Sequence, residues 1–172
     1  MSIDELGKRE LELLADITRF EGSPEETSDW AVYTGITKEF EQIHSEYSRL
    51  AKKDIEALKR GLFMMWYALT EPTWLTGINE LNVVAEKQIA KILNRRITNG
   101  RLDYELDWML EYYSDFGFAF ERFREYDNFY KRTSSKTGLE FPASFDKESM
   151  AIRGQMGEYF NSIDIGQWNK YR

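Results

Sequence analysis

WMLEYYSDFGFAFERFREYDNFY, residues Trp108–Tyr130, is the stretch that decides the fold. Its rings (Trp108, Tyr112, Tyr113, Phe116, Phe118, Phe120, Phe123, Tyr126, Phe129 and Tyr130) recur mostly three or four residues apart. That spacing stacks side chains along helix faces. Each ring buries about 150–250 Å² and fixes the geometry of its neighbours. The pattern predicts a helix from about Leu102 to Tyr126 or a little beyond, at the centre of a helical core.

Working back toward the N-terminus, Asn99-Gly100 is a helix stop. It closes a helix that begins near Ile78 and turns Leu81, Val84, Ile89, Ile92 and Leu93 inward. The short connection makes these two helices antiparallel neighbours. A helix from about Lys52 to Thr70 carries Ile55, Leu58, Leu62, Met65, Trp66 and Leu69 on one stripe, with Phe63, Met64 and Tyr67 on other faces. Apolar on nearly every side, it belongs at the middle of the bundle. Glu71-Pro72 ends it, because the residue before proline avoids helical dihedrals.

The first half has the clearest local signals. Ser2 with Glu5, and Ser23-Pro24-Glu25-Glu26, each match a capped helix start, the second with proline at the first helical position. From Trp30, one apolar stripe continues through Tyr33, Ile36, Phe40, Ile43, Tyr47 and Leu50, with Gly35 as a kink or break. Toward the C-terminus, residues 131–143 read as a loop, about Phe145 to Phe160 as a last helix, and residues 161–172 as a partly docked tail. The expectation is one all-α domain, residues 1–172, a bundle of about six helices around an aromatic-rich core.

Composition narrows the function. The chain has no cysteine, which excludes disulfides and thiolate chemistry. Net charge is −7, and residues 1–29 hold nine acids against three bases while residues 30–172 hold 21 against 20. This argues against a nucleic-acid binder, which needs positive potential over one face. The longest apolar run, Gly61–Leu69, is too short to span a bilayer. No basic start precedes an apolar block, so neither signal peptide nor membrane is expected, and the expected location is cytoplasmic.

Four groups of residues are candidates for function. His44 with Glu41 has the Glu-x-x-His spacing of di-iron bundles, but His44 is the sole histidine. The expectation is therefore a histidine packed among aromatics with one hydrogen bond, and no metal or cofactor. Asp103, Glu105, Asp107, Glu111 and Asp115 form an acidic run; Lys87, Lys91 and Arg95 on the preceding helix are its expected partners across the seam. Trp66, Tyr67, Glu71, Trp74 and Asn79 cluster at the Pro72 break, either as a well-packed corner or, with Asp115, as a candidate pocket in which Glu71 is the acid/base residue. Lys131–Gly138 imitates a phosphate loop without the required spacing, so solvated loop is the reading.

No catalytic motif is present. The leading expectation is therefore a non-enzymatic interaction protein (adaptor, inhibitor or immunity-type binder) that uses Glu25, Glu26 and Asp29 against a basic partner. The alternative is a small-molecule binder or carboxylate-based enzyme at the Glu71, Trp74 and Asp115 pocket. A self-associating scaffold, with Phe63 and Tyr67 as an apolar patch, is the third.

Overall fold

The computed structural model describes residues 1–171. Its elements are α1 (Ile3–Arg19), α2 (Pro24–Tyr33), α3 (Ile36–Leu50), α4 (Ile55–Thr70), α5 (Thr73–Thr76) and α6 (Val83–Thr98). They continue as α7 (Tyr104–Tyr113), a first 3₁₀ segment (Ser114–Phe123), α8 (Asp127–Ser134), α9 (Lys147–Ala151), α10 (Gly154–Ser162) and a second 3₁₀ segment (Ile165–Tyr171). Among the described residues there is no strand, and no helix is long and apolar enough to cross a membrane.

α4 is the centre, as its all-round apolar pattern requires. Every residue from Ala57 to Trp66 is buried, with α3, α6, α10 and the first 3₁₀ segment packed around it. Asp54 starts the helix by accepting hydrogen bonds from the backbone N–H of Glu56 and Ala57. Trp66 anchors the ring cluster: it stacks on Tyr113 at 4.9 Å and meets Tyr159 edge-on at 5.1 Å. α1 lies against α3, α5 and α10, which joins the two ends of the chain.

Both N-terminal capping boxes form. The side chains of Ser2 and Ser23 accept from Glu5 and Glu26, whose carboxylates accept back from the serine N–H groups at 2.7 and 2.8 Å.

The bundle has more pieces than six because several expected helices break. Gly35 adopts φ 82°, which ends α2 and redirects the chain into α3. The expected single stripe is therefore cut: Ile36, Phe40, Ile43 and Tyr47 are buried, but Tyr33 is 91 % exposed. The helix expected from Ile78 begins at Val83, because Asn82 accepts from the N–H groups of Val84 and Ala85 and caps it there. The aromatic helix is α-helical only to Tyr113; it tightens to 3₁₀ and kinks at Phe116 (φ −123°, ψ 39°). Gly117 allows this, since a Cβ there would sit 3.0 Å from the Thr133 carbonyl of α8. Residues 131–134 are the end of α8 rather than loop, so the loop is shorter than expected. The last helix splits into α9 and α10 where Gly154 takes φ 62°. The tail docks, with Ile165 1 % exposed and Trp168 5.0 Å from the Tyr112 ring.

His44 is fully buried on α3; the Gly61 backbone is its one polar neighbour, and neither ring nitrogen meets it in good hydrogen-bond geometry. Burial drives its pKa down to about 4, so the ring is neutral. Two unsatisfied buried polar atoms are a net cost. His44→Leu, similar in volume and fully apolar, is expected to raise stability at neutral pH by about 1–3 kcal/mol in urea denaturation. A loss of stability would mean that the ring makes a polar contact in solution.

Candidate functional site

Three places bear on function: the outer face of α2, a recess beside α4, and a partly buried charge network.

The α2 face follows from its caps. With Ser23 and Pro24 fixing the start and Gly35 the end, Thr27 and Ala31 turn inward, and Trp30 stacks on Phe20 at 4.6 Å. Helical spacing then places Glu25, Asp29, Val32 and Tyr33 outward, and all four are exposed. Glu26 is exposed as well, its pKa lowered by the Ser23 N–H it accepts from. Among the described residues, no base lies within ion-pair distance of Glu25, Glu26 or Asp29. Of the other N-terminal acids, Glu12 pairs with Arg9 at 3.1 Å and Asp16 with Arg19 at 3.6 Å.

The candidate pocket is divided by the structure. Tyr67 and Glu71 do line an open recess of about 400 Å³, together with Leu14 of α1, Leu75 of α5, and Glu158 and Tyr159 of α10. Trp66 lies in the solid core, 1 % exposed. Trp74 is 40 % exposed on α5 and does not line the recess. Asp115 pairs with Lys136. Burial and the Glu71 charge both raise the Tyr67 hydroxyl. The Tyr159 hydroxyl shares a 2.6 Å hydrogen bond with that of Tyr112. Sequence reasoning missed the α10 residues because nothing local ties Glu158 or Tyr159 to a break some ninety positions earlier. Phe63, expected to contribute to a surface patch, is fully buried among these rings.

The third place was not anticipated as a unit. Glu10 of α1 is 1 % exposed; it accepts from the Tyr47 hydroxyl at 2.5 Å and from the Gln155 N–H at 3.1 Å. Burial raises its pKa to about 7 despite those bonds and the nearby Arg60 charge. Arg60 also holds the Ile3 carbonyl at 3.1 Å and Glu56 at 2.8 Å. Arg153 grips Glu56 with two bonds, 2.7 and 2.6 Å, and also pairs with Glu105. Lys59 closes the chain at Glu105 (2.7 Å) and Asp103 (2.8 Å). A signal for Glu10 existed: it falls on the same helix face as Leu6, Leu13 and Ile17.

The acidic run is paired internally, as expected, but with different bases. Arg132 of α8 holds Asp107 at 2.7 Å and Glu111 at 3.0 Å, while Lys87 reaches Glu125 instead. The reason is packing: α6 faces α3, α4 and α8, and α7 faces the first 3₁₀ segment and α8. The Lys131–Gly138 stretch does gather backbone N–H groups around an anion, and that anion is internal. Thr137 N–H and hydroxyl (3.0 and 2.8 Å) and Gly138 N–H (3.0 Å) bind the buried Glu111 carboxylate. Burial opposes its charge, but these bonds and Arg132 hold its pKa at about 2. The nest is therefore occupied by the protein itself. Among the described residues, no group of three or more His, Asp and Glu side chains is placed to hold a metal ion.

The class this defines is an all-α domain with a solid aromatic core, a partly buried charge network and an acidic outer face on α2. Comparison with protein-family models, curated proteins and solved structures finds no match to the chain.

Proposed function

We propose that this protein is a non-enzymatic interaction module that binds a basic partner protein through the outer face of α2. The observation that carries the reading is that Glu25, Asp29, Val32 and Tyr33 share one exposed face. Among the described residues, Tyr33 is the most exposed large apolar side chain, at 91 %. An aromatic anchor beside unpaired acids suits a surface rich in lysine and arginine. The ring offers cation–π contact and the carboxylates offer charge complementarity. Glu10, His44 and Glu111, whose pKa values are shifted by burial or internal bonds, are each at most 1 % exposed, which agrees with a structural use for them.

The test is to place a photo-crosslinking amino acid at Val32 in cells that make the protein, identify what is captured, and measure its affinity. Glu25→Gln, Glu26→Gln and Asp29→Asn together are expected to weaken binding about tenfold or more, and Tyr33→Ala by a similar factor. Glu26→Gln retains the capping box, so α2 stays folded. Binding is expected to fall steeply with added salt. An acidic partner, or affinity indifferent to salt and to both variants, overturns the reading.

A further inference from the structure

We infer that the recess between α1, α4, α5 and α10 is a binding site for an organic ammonium ion, with Tyr67 and Tyr159 as its aromatic walls and Glu71 and Glu158 as its counter-charges. This site is separate from the α2 face and does not depend on it.

The two rings meet at 5.4 Å between centroids and 66° between planes, so they form two sides of a corner. Both line the recess, and both are half-buried against Trp66 and Phe63. Rings arranged in this way attract a cation placed over their faces. The corner is rigid: the Tyr159 hydroxyl is tied to Tyr112, and Tyr67 lies 4.6 Å from the Phe63 ring. A preformed wall binds with less loss of side-chain freedom than a mobile one.

Charge selects the ligand's sign. The lining includes two carboxylates, Glu71 and Glu158, and no lysine, arginine or histidine. Among the described residues, neither carboxylate has an ion-pair partner, although nearly every other acid beside the core has one. Glu71 lines the same recess as the two rings, and its charge raises the hydroxyls of both Tyr67 and Tyr159. A bare metal ion fits poorly, since hard cations take several oxygen ligands at short range and here two carboxylates stand among rings. Leu14 and Leu75 supply apolar contact for the methyl or methylene groups around a nitrogen. At about 400 Å³ the recess takes a small ligand or one side chain. The shared chemistry is alkylammonium, whether a free amine or the lysine of a bound peptide.

The experiment titrates the intact protein with choline chloride, and in parallel with 3,3-dimethylbutan-1-ol, its uncharged isostere. Ionic strength is held with sodium chloride and the Tyr67 and Tyr159 ring resonances are followed by NMR. Choline is expected to shift both rings saturably, and the isostere to bind at least about tenfold more weakly. Glu71→Gln with Glu158→Gln is expected to weaken choline binding about tenfold or more, with circular dichroism unchanged. Tyr159→Phe keeps the ring and is expected to stay within about threefold. A glycine-flanked lysine peptide forms the third arm. Tighter binding than choline assigns the site to a lysine side chain, weaker binding to a free amine, and both support the inference. Equal response to choline and isostere, no saturable shift with choline or the peptide, or choline binding undiminished in the double glutamine variant overturns it.

Discussion

Arg153→Ala is expected to destabilise the protein by about 2–3 kcal/mol, since a largely buried arginine is lost from carboxylates that are 28 % exposed and keep Lys59 and Arg60 as partners. Arg153 is 9 % exposed and carries a bidentate grip on Glu56 and a bond to Glu105. Its removal leaves Glu56, Glu105 and Asp103 facing only Lys59 and Arg60. Because Arg153 directly precedes α10, the loss is expected to appear first in that helix. Hydrogen exchange should show the α10 amides losing protection before those of α4. The net value of the arrangement is a separate matter. A triple replacement of Arg153, Glu56 and Arg60 by apolar residues of similar size leaves Lys59 paired with Glu105 and Asp103 and no charge without a partner, and it is expected to cost less than Arg153→Ala alone. Similar losses in the two variants would show that shape, rather than unpaired charge, sets the effect.

The second large effect concerns pH. Glu10 has its folded-state pKa raised from 4.5 to about 7, chiefly by burial. The folded state therefore holds a proton that the unfolded chain releases, and this contribution to stability is lost as pH climbs from about 4.5 to about 7. The loss amounts to about 3 kcal/mol across that window. His44, whose charged form is disfavoured by burial and secondarily by the Arg122 charge, runs the other way. Its pKa falls from 6.5 to about 4, so the unfolded chain takes up a proton first and stability is lost as pH drops through about 6.5 toward 4. The two slopes nearly cancel in the wild-type protein, and single substitutions expose them. Glu10→Gln is expected to leave a profile that rises from pH 4 to about 6.5, and His44→Leu one that falls from about 4.5 to 7. Urea midpoints measured across pH 4–8 decide this. Parallel profiles for the two variants would exclude the assignment.

Local chemistry is what made the fold legible. The serines at positions 2 and 23, the proline at 24 and the period of the α4 stripe each act within a few residues, and each appears where expected. The breaks that turned six helices into shorter pieces are different. Phe116 has no proline to announce its kink; the cause is the approach of Thr133 to Gly117, sixteen positions away. Tyr33 kept the helical spacing of its neighbours, and only the left-handed turn at Gly35 rotated it out of the core. The charge pairs were legible in kind but not in partner. Nothing within a turn of Asp107 points to Arg132, and Glu56 meets an arginine 97 residues later. At the recess, Tyr67 and Glu71 came from one helix end and were readable together, whereas Glu158 and Tyr159 reached it only through tertiary packing. Glu10 is the lesson about reading acids: a carboxylate at apolar spacing between leucines belongs on any list of buried charges.

The bond between Glu10 and the Gln155 amide spans 145 residues. At the usual pace of translation, about 5–20 residues per second, the first helix leaves the ribosome roughly 7–30 seconds before its last partner is synthesised. α3 and α5 can cover part of α1 early, but the part that α10 covers stays open until that helix is made. The step that completes the molecule is thus one of the latest to become available, and a factor that shields emerging helices would act on this protein chiefly during that wait.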